Sequence, residues 1–457
     1  MNRTLIEGAY VATMDAARSE HATGHVLVED GHIRAVGPGA APVAVADTAD
    51  RVVDGSGCLL TPGLVNTHHH LYQWATRGLA VDETLFGWLT HLYPVWAGID
   101  ERVVNVAARG ALASLALSGC TTSTDHHYVF PRDGGDLFAA EVEAARSVGL
   151  RFHPCRGSMD LGRSRGGLPP DRVVEDVDAV LADTEVTIDR WHDPSPDSML
   201  RVAVAPCSPF TASRELMRAS AELARRHRVL LHTHLAETTD EEEFCRERFG
   251  RSPLEYVEEL GWLGEDVWFA HGIHFDDAAV KRIGATGTGV AHCPSSNARL
   301  GAGIARTREL RDAGARVGLG VDGAASNEAA NLLEEARHAL LFARATGGPQ
   351  ALTVRDALEM ATRGGASVLG RAEEIGSIEP GKLGDLALWR LDTLAHADIA
   401  DPVAALVLGS PPPLELLLVH GRPLVERDEV VTVDADGLAR EVTAAHRRLL
   451  AKAGEHA

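Results

Sequence analysis

Two short stretches hold the residues best suited to chemistry, THHH at 67–70 and HTHLAE at 232–237. On an extended strand His68 and His70, two apart, share one face while His69 points to the other. Two neutral imidazoles on one face suit a small borderline cation such as zinc. In the second stretch His232 and His234 also share a face, behind the apolar run Val229-Leu230-Leu231. Only His234 stands at the strand's extreme end, which makes it the ligand and leaves His232 as a structural histidine in the strand wall. A lone His-x-His is a weak signal, because core and surface histidines share that spacing. His271 and Asp322 strengthen it, since each closes an apolar run of its own.

Groups from such distant positions meet only if the chain brings strand ends together. Eight apolar or β-branched runs each end in polar or small residues: 63–70, 119–128, 150–158, 201–208, 229–237, 267–274, 288–297 and 316–326. Helix-like segments separate most of them, and 212–227 and 328–344 carry apolar residues at helical spacing. Eight strand-then-helix units predict a parallel (β/α)8 barrel, an α/β fold whose chemistry collects at the C-terminal ends of the strands. The His, Asp and Glu candidates stand at those ends.

The flanks read as β-structure with Gly/Pro punctuation. The expected division is 1–61 and 376–457 forming one small β-sandwich domain from both termini, with a helix near 435–452, around a catalytic barrel over 62–375. Residues 76–118 exceed an ordinary connection and carry Trp88, Tyr93 and Trp96. Trp96 reads as core, and Trp88 as core or as a wall of the pocket.

Composition excludes some classes of function. The 457 residues, 45% hydrophobic and 24% charged, are ordinary for a globular chain. A net charge of −21, from 65 acidic against 44 basic side chains, argues against a nucleic-acid surface. No stretch reaches the ~18 apolar residues of a membrane helix. Six scattered cysteines without a C-x-x-C pair and an N-terminus lacking an apolar signal segment suggest a reduced, cytoplasmic protein. A small-molecule substrate, water and a second copy of the chain in a homo-oligomer are the expected partners.

The motifs PGLVNTHHH (62–70), HTHLAET (232–238), AHGIH (270–274), AHCPSSN (291–297) and GLGVDGAASN (318–327) together resemble the amidohydrolase superfamily, within it the mononuclear deaminases and triazine chlorohydrolases. The resemblance covers nearly the whole chain. It implies His68, His70, His234 and Asp322 as metal ligands, Glu237 as proton shuttle and His271 as the residue polarising water or substrate. Binuclear members carry a bridging lysine, whereas Lys occurs here only at 281, 382 and 452, none at a strand end. One divalent ion is expected, zinc with iron as the alternative.

That ion would lower the pKa of a bound water to ~7. Asp322 would take the water's proton, Glu237 would protonate a ring nitrogen, and ammonia would leave. The acidic residues after Glu237, 239–243, read as solvated carboxylates at a helix N-terminus. Within the superfamily, HHHLYQ (68–73), CSPF (207–210), RGSMDLGRSRGGLPPD (156–171) and HCPSSN most resemble 8-oxoguanine deaminases, with hydroxytriazine aminohydrolases next. Cys207 stands where adenosine-type relatives carry histidine and guanine deaminases arginine. Gln73 either reads a lactam edge or serves its own loop. Segment 157–170 is long enough for a lid, with a surface loop as the alternative. Two other readings remain: a triazine hydrolase on the same site, and an inactive assembly protein, which should have lost a ligand.

Overall fold

In the computed structural model of the chain, residues 3–454 are described. The outermost ends of the two expected flanks, residues 1–2 and 455–457, lie outside them. Eight strands close a parallel barrel: β1 (Leu64–Asn66), β2 (Cys120–His127), β3 (Arg151–Ser158), β4 (Ala203–Pro206), β5 (Leu231–Leu235), β6 (Val267–His271), β7 (Gly289–His292) and β8 (Arg316–Leu319). Every run picked out by apolar content holds one of them. The seam closes where Leu319 of β8 pairs with Asn66 of β1.

β1 is shorter than THHH suggests, and this corrects the reading of His68 and His70 as neighbours on one continuous strand. Regular structure stops at Asn66, and His69–His70 form a separate two-residue pair with Asp322–Gly323. Pairing beyond the barrel rim places Asp322 beside His69. His69 itself turns away and accepts the His70 backbone N–H on its Nδ1 at 2.8 Å.

The surrounding helices follow their caps. Ser213 accepts from Leu216 N at the start of Arg214–His227, and Asn331 accepts from Glu334 N at the start of Leu332–Gly347. The long segment after β1 holds helix Leu85–Trp96, with Pro94 inside, and helix Glu101–Leu117. Trp96 is fully buried and donates to Thr76 Oγ1 at 3.1 Å. No helix among the described residues is long and apolar enough to cross a membrane.

Both ends of the chain build a second, nine-stranded sheet. Arg3–Ala12 pairs with Glu20–Glu29 on one edge and with Cys58–Pro62 on the other. Leu386–Arg390 then pairs antiparallel with Cys58–Pro62, joining the termini at Leu60↔Leu388. Side chains alternate between two cores: Leu60, Leu386, Leu388, Leu416 and Leu418 fill the sheet's own interior, whereas Leu59, Ala387, Trp389 and Leu417 face the barrel's. Burial on both faces explains the continuous apolar runs of these strands. A terminal helix, Ala435–Gly454, lies against helix Glu101–Leu117.

Candidate active site

Three histidines present the same ring atom to one point, and their hydrogen bonds fix why. Trp268 O can only accept, so His232 Nδ1 donates to it at 3.0 Å, leaving His232 Nε2 with a lone pair. His68 Nδ1 donates to that lone pair at 2.8 Å, which leaves His68 Nε2 unprotonated. By the same logic His70 Nδ1 donates to His126 O at 2.7 Å and His234 Nδ1 to Cys207 O at 2.6 Å. All three Nε2 lone pairs therefore face inward. Such orienting partners are the usual companions of metal-ligating histidines.

The spacing of these atoms fits a cation. His70 Nε2 lies 3.1 Å from His234 Nε2, and Asp322 Oδ1 lies 3.3 Å from both His68 Nε2 and His70 Nε2. Tetrahedral bonds of ~2.0–2.1 Å put ligand atoms about 3.4 Å apart. Two lone pairs 3.1 Å apart with no proton between them repel, and His68 Nε2 is buried without a hydrogen-bond partner among the described residues. A divalent ion resolves both defects. His126 stacks on His234 with centroids 4.8 Å apart and donates its Nε2–H to Ala205 O at 2.9 Å, so its second nitrogen also faces the cluster.

Burial keeps the imidazoles neutral, as ligation requires. It holds His68 well below its ordinary pKa and pushes His234 down to about 3. Ser296 Oγ donates to Asp322 Oδ2 at 2.6 Å and fixes its rotation.

Glu237 and His271 stand beside this cluster. His271 Nε2 lies 3.6 Å from Glu237 Oε2 and 4.0 Å from Asp322 Oδ2, and its Nδ1 donates to Asn297 Oδ1 at 2.9 Å. Burial alone would lower His271, yet the two carboxylates facing it outweigh burial and raise its pKa. Burial raises Glu237, which makes it a better proton donor near neutrality. Ala236, His271 and Asp322 all adopt left-handed backbone, with φ of 54°, 72° and 61°. Each of these kinks comes at or just beyond a barrel strand's end, which turns the side chains into the mouth at a cost in strain.

A cavity opens over the cluster, lined by His70, His234, Glu237, His271 and Asp322 at its floor and by aromatic and aliphatic walls. Trp88 is one wall, tied down by its indole N–H to Ala325 O at 3.0 Å. Cys207 is another; burial pushes its thiol up to about 12, so it remains protonated. Leu168, in segment 157–170, also lines the cavity. Gln73 is fully buried against Gly323, away from the cavity lining, and both its amide atoms lack a partner among the described residues.

Sequence reasoning missed four contributors. His232 was placed in the wall, where it stands, but it also orients His68. Ser296 and Asn297, in a motif noted only for resemblance, hold Asp322 and His271. Glu241 corrects the expectation of solvated carboxylates over 239–243: it is 2% exposed and lines the cavity. Its place three residues after Thr238, a position from which a glutamate reaches back to the backbone entering a helix, was the available signal.

The amidohydrolase family model matches residues 59–421. The chain belongs to the amidohydrolase family. An 8-oxoguanine deaminase of Pseudomonas aeruginosa is 46% identical over 99% of this amidohydrolase and 100% of its own length. A hydroxydechloroatrazine ethylaminohydrolase of Pseudomonas sp. (strain ADP) is 37% identical, covering 98% and 96% of the two chains. The crystal structure of an atrazine chlorohydrolase from Arthrobacter aurescens TC1, complexed with zinc, superposes with a TM-score of 0.92 at 34% identity, covering 97% of this chain and all of that one.

Proposed function

We propose that this amidohydrolase removes the amino group of an aminopurine-type ring by hydrolysis, with 8-oxoguanine as substrate and urate and ammonia as products. The observation that carries the reading is the convergence of three inward Nε2 lone pairs and Asp322 on one point, with Glu237 and His271 beside it at the floor of the cavity. The residues fit a single zinc ion held by His68, His70, His234 and Asp322. When bound, that ion supplies Lewis acidity that brings a water's pKa to ~7.

The chain's own groups account for the rest of the reaction. Asp322 takes the proton of the attacking water on Oδ2, the oxygen nearer His271. Glu237, its pKa raised by burial, gives a proton to a ring nitrogen beside the reacting carbon, which makes that carbon more electrophilic. His271, held by Asn297, donates a hydrogen bond to the oxygen added at that carbon. Asp322 then gives the water's proton to the departing amine, the added oxygen's remaining proton returns to Glu237 as the carbonyl forms, and ammonia leaves. Apolar walls from Trp88, Leu85, Phe86 and Tyr93 suit a flat ring and exclude water from the chemistry.

The choice of 8-oxoguanine is supported by the relative 46% identical over 99% of the chain. Steady-state ammonia release from 8-oxoguanine, guanine, isoxanthopterin, adenosine and a hydroxytriazine tests it. The expected result is the highest kcat/KM on 8-oxoguanine. A higher value on a hydroxytriazine would transfer the assignment to triazine hydrolysis, and metal analysis decides zinc against iron.

A further inference from the structure

Glu241 has no place in the reaction just described, yet its carboxyl is buried in the wall of the same cavity. It belongs to helix Thr239–Phe249, and its Oε2 accepts the backbone N–H of Glu237 at 3.1 Å. That bond ties down the residue following Ala236, whose φ is 54°. The other oxygen, Oε1, is buried and has no hydrogen-bond partner among the described residues. A buried polar atom without a partner is costly, and in a binding cavity it marks a contact completed by the ligand.

We propose that Glu241 is a substrate-contacting residue, its Oε2 anchored to the Glu237 backbone and its Oε1 giving a hydrogen bond to an acceptor atom, a carbonyl oxygen or ring nitrogen, on the substrate's edge. The proposal rests on the aminopurine reading of the site. A neutral carboxyl lets Oε1 donate: burial raises its pKa to about 8, outweighing the Ala236 and Glu237 backbone N–H groups, which favour the charged form. The substrate class follows: rings with an acceptor on the edge facing the helix Thr239–Phe249 are favoured over rings that present a donor there.

The test uses zinc-loaded full-length enzyme. Glu241→Gln keeps an oxygen for the Glu237 N–H and offers an N–H2 to the ring, so KM for 8-oxoguanine and the Kd for urate should stay within ~3-fold of wild type, whereas Glu241→Met, near in size but apolar, should raise both by ~10-fold or more. A residue that merely positions Glu237 would instead lower kcat and leave KM and urate affinity unchanged, and that outcome overturns the proposal. Equal losses in Glu241→Gln and Glu241→Met overturn it as well. Should Glu241→Met not fold, difference infrared spectroscopy of the wild type decides. A protonated-carboxyl band that shifts on adding urate and disappears in Glu241→Gln is expected, and a band indifferent to urate overturns the contact. If wild type releases no ammonia from 8-oxoguanine, the function reading fails separately, and the same KM comparison is made on whichever ring of the panel is turned over.

Discussion

Two buried polar clusters stand at opposite ends of the barrel strands, and they are finished differently. At the N-terminal end, Arg151 opens β3 and makes a two-pronged pair with Asp385, Nε to Oδ2 and Nη2 to Oδ1, each at 3.0 Å. Its Nη1 donates to Ser198 O at 2.6 Å, and Asp385 Oδ1 accepts the His420 backbone N–H at 2.7 Å. All three nitrogens of that guanidinium donate, and the pair fastens the terminal sheet to the barrel. At the C-terminal end, His68 Nε2 and Glu241 Oε1 are as deeply buried and have no hydrogen-bond partner among the described residues. Neither burial nor charge separates the two clusters; saturation does. A saturated cluster has nothing left to offer a ligand, while an unsaturated one in a cavity holds its free energy in reserve for one.

The sharpest way to break the comparison is to remove ligand atoms from the unsaturated end. His68→Ala combined with His70→Ala should take metal content from about one equivalent to near zero and abolish turnover, as read by elemental analysis and ammonia release. Two tightly bound equivalents in the active wild type, or unchanged metal in the double variant, would refute the single site. Dialysis against a chelator should reproduce the loss, and zinc should restore it. Next in size is Glu237→Gln, which keeps shape and polarity but has no proton to transfer. There kcat should fall by ~10²–10⁴ with metal retained. A value within a few-fold of wild type would move the proton to His271 or Asp322.

The saturated end should respond in the other currency, stability rather than rate. Arg151→Met leaves the Asp385 carboxylate buried and unpaired, so unfolding free energy should drop by about 3–5 kcal/mol. Metal content and kcat of the folded fraction should hold, because no atom of the pair reaches the cavity. Equal losses in both clusters would mean that sheet attachment and catalysis are coupled.

The barrel was legible because its strands are short apolar runs that end in polar residues, and the eight runs repeat along the chain. The positions of His234 and His271 followed from that pattern, whereas Asp322, read as the end of the eighth strand, lies three residues beyond β8 in the rim pair with His69. What stayed hidden depends on backbone atoms, which carry no letter in the sequence. Cys207 was singled out for its thiol, whereas its carbonyl is what orients His234. Gln73 looked able to read a ring edge, but its side chain packs against Gly323, where an added Cβ would collide with it. Glu241 was hidden by its neighbours, since an acidic run at a helix start reads as solvated until the helix's facing is known.

His232 supplies the finest comparison, because it is a saturated residue inside the unsaturated cluster. Its Nδ1–H is spent on Trp268 O and its Nε2 on His68, and its ring stacks on Trp268 with centroids 4.3 Å apart. It therefore has nothing left for a cation, which is the physical reason it is no ligand although it shares a strand with His234. Its effect must pass through His68: the acceptor on its Nε2 selects the His68 tautomer whose lone pair faces Asp322. His232→Phe would keep a planar ring against Trp268 but remove that acceptor, and zinc affinity or kcat/KM should fall ~10–100-fold. His232→Gln offers a carboxamide oxygen to the His68 Nδ1–H and should recover part of the loss. Competition with a chromophoric chelator reads the affinity directly. Equal affinity in wild type and His232→Phe would show that the tautomer of His68 is set by the metal itself, and that this hydrogen bond only fills the barrel wall.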